Sequence, residues 1–171
     1  MSQPDPPPAG PLGGPLSEGM RSVAEMMMQG TPHARALGFE LMDVQRGRAW
    51  GRAPFRDDLV GDAKAGVIAG GVVTALLDQL CGVAAMSAQT TPSSTATIDL
   101  RIDYMRAAAP GRSVLAQAHC YKVTRSVAFV RAVAYDADPE DPVANATAAF
   151  MISSNGGRKP GSNARPPRKS T

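Results

Sequence analysis

The chain has 171 residues, 43% of them hydrophobic and 19% charged, and shows no internal period; this bounds it to one domain with a sizeable core and excludes a repeat array. The net charge of +3 belongs to residues 156–171, where Arg158, Lys159, Arg165, Arg168 and Lys169 stand without an acid; the remainder sums to −2, which argues against a nucleic-acid-binding fold. Cys81 and Cys120 lie in apolar segments without metal-ligand spacing, so neither a disulfide scaffold nor a metal site is expected, and a reducing cytoplasm suits them.

Pro4, Pro6, Pro7, Pro8, Pro11 and Pro15 crowd the start together with Gly10, Gly13 and Gly14, so residues 1–16 read as a disordered Pro/Gly-rich leader. That leader has neither a positive nor an apolar signal region. The longest strongly apolar uncharged stretch, Ala65 to Leu77, is too short for a bilayer, and the expectation is a soluble cytoplasmic chain with no membrane span. One folded domain is expected over residues 17–154, and a disordered basic tail over 155–171.

Leu16, Met20, Val23 and Met27 recur at helical spacing over Ser17 to Gln29, with Ser17 as cap and Gly30 as stop. Thr31-Pro32 starts a second short helix that Gly38 ends. The period then changes to two: a hairpin is expected from Phe39 through the Gln45-Arg46-Gly47-Arg48 turn to Phe55. Ile98, Leu100, Ile102 and Tyr104 alternate with Asp99, Arg101 and Asp103 as a half-buried strand, and further strands are expected at about Ser113–Val123, Ser126–Tyr135 and Val143–Ser153. Short connections imply an antiparallel sheet.

Between the second and third of these strands, the run from Gly70 to Met86 has helical length and is apolar nearly all round, which predicts a helix enclosed by other structure. An otherwise antiparallel sheet that curls around one long buried helix is an α+β layout, the hotdog fold.

Asp78 is the one charged residue between Lys64 and Asp99, set among Leu76, Leu77, Leu80 and Cys81. An unpaired buried carboxylate costs several kcal/mol, so it is either functional or satisfied by a partner such as Arg101. Gly70 and Gly71 open the helix, whose start offers unpaired amides to an anion or a developing oxyanion; equally, the pair suits a tight strand-to-helix turn. Cys81 reads as a core thiol, the Met26-Met27-Met28 run as adaptable packing, and His33 and His119 belong to no metal-binding cluster.

Three stretches in order, Val67-Ile68-Ala69-Gly70-Gly71, then Leu76-Leu77-Asp78, then Thr97-Ile98-Asp99-Leu100-Arg101-Ile102-Asp103-Tyr104-Met105-Arg106, resemble the PaaI-like branch of the hotdog thioesterase superfamily over about Phe39 to Ile152. The resemblance implies an acyl-CoA thioesterase needing no cofactor beyond the coenzyme A of its substrate, and a homodimer or homotetramer with sites across the interface. It implies that the Gly70 amide polarises the thioester carbonyl and that Asp78 acts as general base or nucleophile. Thr97 would help hold the water, although threonine is also favoured in strands. Ile68, Ala69 and Gly71 would line the thioester, and Arg125 with Ser126, in the Thr124-Arg125-Ser126 turn, would meet the nucleotide end of coenzyme A unless Arg125 is a solvated hairpin charge. The family's usual His is Ala69 here, which leaves a non-catalytic acyl-CoA-binding or regulatory protein as the alternative. A hotdog dehydratase is disfavoured, because that chemistry uses a His and none lies near the helix motif.

Overall fold

The computed structural model describes residues 15–91 and 93–153. The expected leader (1–16) and tail (155–171) fall on residues 1–14 and 154–171, outside the described residues, apart from Pro15 and Leu16.

The lead-in follows its capping signals. Helix α1 (Glu18–Glu25) begins at Ser17, whose hydroxyl accepts from the Met20 amide, and α2 (Pro32–Leu37) begins at Thr31, whose hydroxyl accepts from the Ala34 amide. Gly38 ends α2 in the left-handed region at φ 68°. Where one regular helix was expected, Met26–Gly30 instead forms a π-helical turn. Its cause is tertiary: the Gln79 side-chain amide donates to the Met27 carbonyl at 2.5 Å, and Met28 is fully buried.

Strands β1 (Glu40–Gln45) and β2 (Arg48–Ala53) form the expected hairpin, with Gly47 at φ 72° supplying the left-handed turn residue. A small hairpin, β3 (Val60–Asp62) and β4 (Val67–Ile68), leads into α3 (Gly70–Ser87). After it come β5 (Ser94–Tyr104), β6 (Val114–Val123), β7 (Val127–Tyr135) and β8 (Ala144–Ser153). The six-stranded antiparallel sheet runs β1-β2-β6-β7-β8-β5, so the strand that follows the helix lies at the far edge.

Alternation along β6, β7 and β8 buries small residues on the inner face: Ala116 and Ala118, Ala132 and Ala134, Ala146 and Ala148. These alanines leave room for α3, whose Leu76, Leu77 and Leu80 are fully buried. Each such leucine contributes about 1.5–3 kcal/mol relative to exposure. Gly51 belongs to the same fit, since a β-carbon there would lie 2.9 Å from Met28 Cε and 3.1 Å from both the Glu40 carbonyl and Leu80 Cδ1.

Two expectations are corrected. Helix α3 is not enclosed all round: its residues from Leu80 to Ser87 are buried, but Gly71, Thr74, Ala75, Asp78 and Gln79, spaced three and four apart, form a stripe that this chain does not fully cover. Strand β5 is not evenly half-buried either: Leu100 and Ile102 pack against the core, whereas Ile98 and Tyr104 are 54% and 48% exposed. A bulge between Thr97 and Asp99 and the edge position explain the difference. Among the described residues, α3 is the one helix long and apolar enough to cross a membrane, and it is mostly buried within the fold.

Candidate active site

The start of α3 is set by the small hairpin before it. The Ala69 amide donates to the Leu59 carbonyl at 2.9 Å, and Gly61 lies so close that a β-carbon there would be 2.9 Å from Ala69 Cα. Ala69 is the N-cap, extended at φ −61° and ψ 139°, and it supplies no side-chain cap to the amides of the first turn. Ile68 is buried, Ala69 half-buried, and Gly70 and Gly71 exposed. A β-carbon on Gly71 would meet nothing within 4 Å. The Val72 and Val73 amides donate to the Ala69 carbonyl at 3.0 and 3.4 Å, which leaves the Gly70 and Gly71 amides of the exposed helix start for an outside acceptor, an arrangement suited to negative charge.

The outward side of that first turn is held by two hydroxyls that sequence reasoning did not single out. Tyr104 Oη donates to the Gly70 carbonyl at 2.6 Å, and Thr74 Oγ1 donates to the same oxygen at 3.1 Å, with 2.8 Å between the two hydroxyls. Thr74 was legible as the residue one helical turn after Gly70. Tyr104 was legible only as a motif residue, because its contact spans 34 positions.

Asp78 sits on the uncovered stripe of α3 and is half-buried, not sealed in the core as its neighbours suggested. Thr97 Oγ1 donates to Asp78 Oδ1 at 2.9 Å, so the two residues are brought into direct contact. The bulge at Ile98 lies immediately beyond Thr97. Arg101, considered above as a structural partner for Asp78, pairs instead with Asp103 at 3.0 Å. Gly70 and Asp78 are eight residues apart on one helix, about 12 Å by helical rise, too far for both to reach one reacting carbon.

Arg125 and Ser126 are exposed in the β6–β7 turn. The turn is fixed by the Thr124 amide donating to the Val127 carbonyl at 2.8 Å and by the Ile152 amide donating to the Ser126 carbonyl at 2.8 Å. Phe150 pairs with both Thr97 and Ala128, so this turn stands at the end of the sheet nearest Thr97. Both cysteines are buried free thiols; burial pushes Cys81 up to about 12 and Cys120 up to about 11, which makes them inert packing residues and not nucleophiles.

The family description "Thioesterase superfamily" matches residues 65–143, a span from the approach to α3 through the end of the β7–β8 loop. The chain is 28% identical over 152 residues to a medium/long-chain acyl-CoA thioesterase, YigI, of Salmonella typhimurium, covering 79% of this chain and 94% of that protein. Its Escherichia coli K12 counterpart is 27% identical over the same length. A Pseudomonas aeruginosa protein of known crystal structure is 33% identical with a TM-score of 0.71, over 77% of this chain and 98% of that one. The PaaI protein of the E. coli phenylacetic acid degradation operon shares the fold at 17% identity, with a TM-score of 0.70 over 82% of this chain and 97% of its own. The chain belongs to the hotdog-fold thioesterase superfamily.

Proposed function

We propose that this protein is an acyl-CoA thioesterase of the PaaI-like branch, hydrolysing a thioester to a free acid and coenzyme A, with Asp78, Thr97 and the Gly70 amide as its catalytic groups. The observation that carries this reading is the Asp78–Thr97 contact on an uncovered stripe of an otherwise buried helix. Family membership and the named activity of the YigI relatives support it, and their name favours a medium- or long-chain acyl group.

In the reaction, Thr97 holds one oxygen of the carboxylate and leaves the other for water. Asp78 takes a proton from that water as its oxygen bonds to the thioester carbon. Negative charge moves onto the carbonyl oxygen, where the Gly70 N–H donates to it. The carbon–sulfur bond then breaks, and the leaving thiolate takes the proton from Asp78. Direct attack by Asp78 would instead expel the thiolate and give an acyl anhydride, which water opens at the Asp78 carboxyl carbon while its proton goes to the thiolate. Single-turnover hydrolysis in heavy-oxygen water separates the two routes, because only the second leaves label in the Asp78 carboxylate. Ile68, Ala69 and Gly71 line the approach of the thioester, while Arg125 and Ser126 meet the nucleotide end of coenzyme A. The chemistry calls for no metal or redox cofactor.

The distance along α3 requires a second copy, in which Asp78 of one subunit faces Gly70 of the partner subunit. Strand β5 supports this, as an eleven-residue edge with exposed Ile98, Tyr104 and Met105, and unpaired edges of that kind invite pairing with another chain. The decisive experiment measures thiol release from a panel of acyl-CoA esters by wild type and Asp78→Asn. Turnover that falls about 100-fold or more in the variant supports hydrolysis through Asp78. Equal binding by both proteins with no thiol release would establish the acyl-CoA-binding protein that Ala69 permits.

A further inference from the structure

The outer face of the sheet, opposite α3, carries a feature that the proposed hydrolysis does not use. Arg48 on β2 pairs in register with His119 on β6, and His119 pairs with Arg131 on β7, which places three basic side chains in one row across adjacent strands. The inner-facing neighbours Ala118, Cys120, Val130 and Ala132 are buried beneath, so this row stands on the side away from the helix. Like charges directly opposite one another destabilise a sheet. Elsewhere on the protein arginines find carboxylates: Arg52 pairs with Glu40, Arg101 with Asp103, and Arg106 with Asp136.

The row borders a cavity of about 340 Å³ lined by Arg48, Trp50, Gln117, His119, Arg131 and Asn145 among others, and none of its lining residues is acidic. Arg48 Nε is buried there without a hydrogen-bond partner among the described residues. The Arg131 guanidinium lies 4.6 Å from the centre of the Tyr121 ring, which holds it over the sheet. Trp50 is almost wholly buried, and its indole N–H donates to Gln117 Oε1 at 3.3 Å. Burial and the two flanking arginines, in that order, push His119 below the ordinary histidine range. Two guanidiniums without a carboxylate partner among the described residues, a histidine between them and side-chain amides at the rim make a cradle suited to an anion.

We propose that this outer-face cavity is a second binding site, separate from the thioester site, for a small molecule bearing a phosphate group. Arg48 and Arg131 stand one strand to either side of His119, about 10 Å apart at the backbone, a spacing that lets both long side chains reach one tetrahedral anion between them. Guanidiniums match the charge of a phosphate dianion, and protonated His119 adds a third donor. The phosphate is either free or part of a nucleotide such as the one coenzyme A carries.

Trp50 is the only tryptophan in the chain, so its fluorescence reports on this cavity. The test titrates full-length protein with inorganic phosphate, pyrophosphate and adenosine 3′,5′-bisphosphate at constant ionic strength, with calorimetry on the same samples. Saturable binding is expected, with Arg48→Gln and Arg131→Gln each weakening it about tenfold or more. Binding should tighten as pH falls below the ordinary histidine value of 6.5, where His119 gains its proton between Arg48 and Arg131, and His119→Gln should remove that part of the pH dependence. Selective binding of the bisphosphate would identify a nucleotide as the source, and equal binding of inorganic phosphate would identify the free ion. A signal that follows ionic strength alone, or binding untouched by both arginine variants in chains that retain the wild-type circular dichroism spectrum, overturns the proposal. So does a change of oligomeric state in those variants with no phosphate binding by wild type, which would make the row a contact between copies.

Discussion

Thr97 Oγ1 donates to Asp78 Oδ1 at 2.9 Å, joining a threonine at a strand bulge to an acid on the open stripe of the central helix. In the proposed mechanism, a hydroxyl in that position leaves the other carboxylate oxygen for water. Thr97→Ala is expected to lower kcat about tenfold, the equivalent of one well-placed hydrogen bond, while Thr97→Ser keeps most of the activity. Steady-state kinetics on the best acyl-CoA ester checks this, and a change confined to KM would contradict the assigned role.

Gly70 permits an unusually clean deletion of one amide. It is the first residue of α3, where proline is well tolerated, and Ala69 before it already has the extended backbone that a following proline demands. Gly70→Pro should therefore fold, yet lose the N–H assigned to the carbonyl oxygen and with it about 100-fold to 1,000-fold in kcat. Gly70→Ala should stay active, since its β-carbon would lie an ordinary 3.5 Å from Tyr104 Oη. Equal activity of the two variants would remove Gly70 from the mechanism.

Gly61 should behave as a positioning residue. A methyl group there meets Ala69 Cα at 2.9 Å, so the backbone immediately before the first-turn amides has to move. Gly61→Ala is expected to depress kcat by more than its loss of stability accounts for, because the displaced backbone leads directly into the first turn of α3. Gly51→Ala, by contrast, crowds Met28, Leu80 and the Glu40 carbonyl and should cost about 1–3 kcal/mol of stability. Denaturant unfolding read beside kinetics separates the two.

Asp136 should govern stability in acid. Its carboxylate accepts from both Arg106 terminal nitrogens, at 3.0 and 2.8 Å, and from the Ala109 amide at 2.6 Å, and the Arg106 hydrogen bonds chiefly hold it down to about 2. A carboxyl depressed in the folded state stabilises fully above its unfolded value near 3.8, and that contribution disappears as pH falls toward about 2. Arg106→Gln should raise the acid unfolding midpoint by about half a pH unit or more. Circular dichroism followed from neutral to acid pH tests the shift.

Much of this was legible because it is local or periodic. Ser17 and Thr31 cap as their types and positions demand, Arg46-Gly47 turns the first hairpin, and the apolar length of Gly70–Ser87 marks the central helix. The roles proposed for Asp78 and Gly70 rest on the spacing of family motifs. What escaped depends on partners distant along the chain. The π turn at Met26–Gly30 needs Gln79, the clamp on Gly70 needs Tyr104, and the basic row of Arg48, His119 and Arg131 exists only once three strands are in register. The exposure of Asp78 and Ile98 was misjudged for a related reason: composition gives no sign of which side of a helix or sheet is left for another molecule.

The eight-residue separation of Gly70 from Asp78 makes a defective centre repairable by mixing. In the proposed dimer, chains carrying Asp78→Asn and chains carrying Gly70→Pro should each be strongly impaired alone, yet a hybrid of the two would contain one intact pair and one doubly damaged pair. Random reassortment of equal amounts should restore about a quarter of the wild-type rate, a complementation that no single-chain centre can show. By the same logic, a site proposed to span two copies should lose specific activity on dilution, so that abundance would set how much of the protein is active.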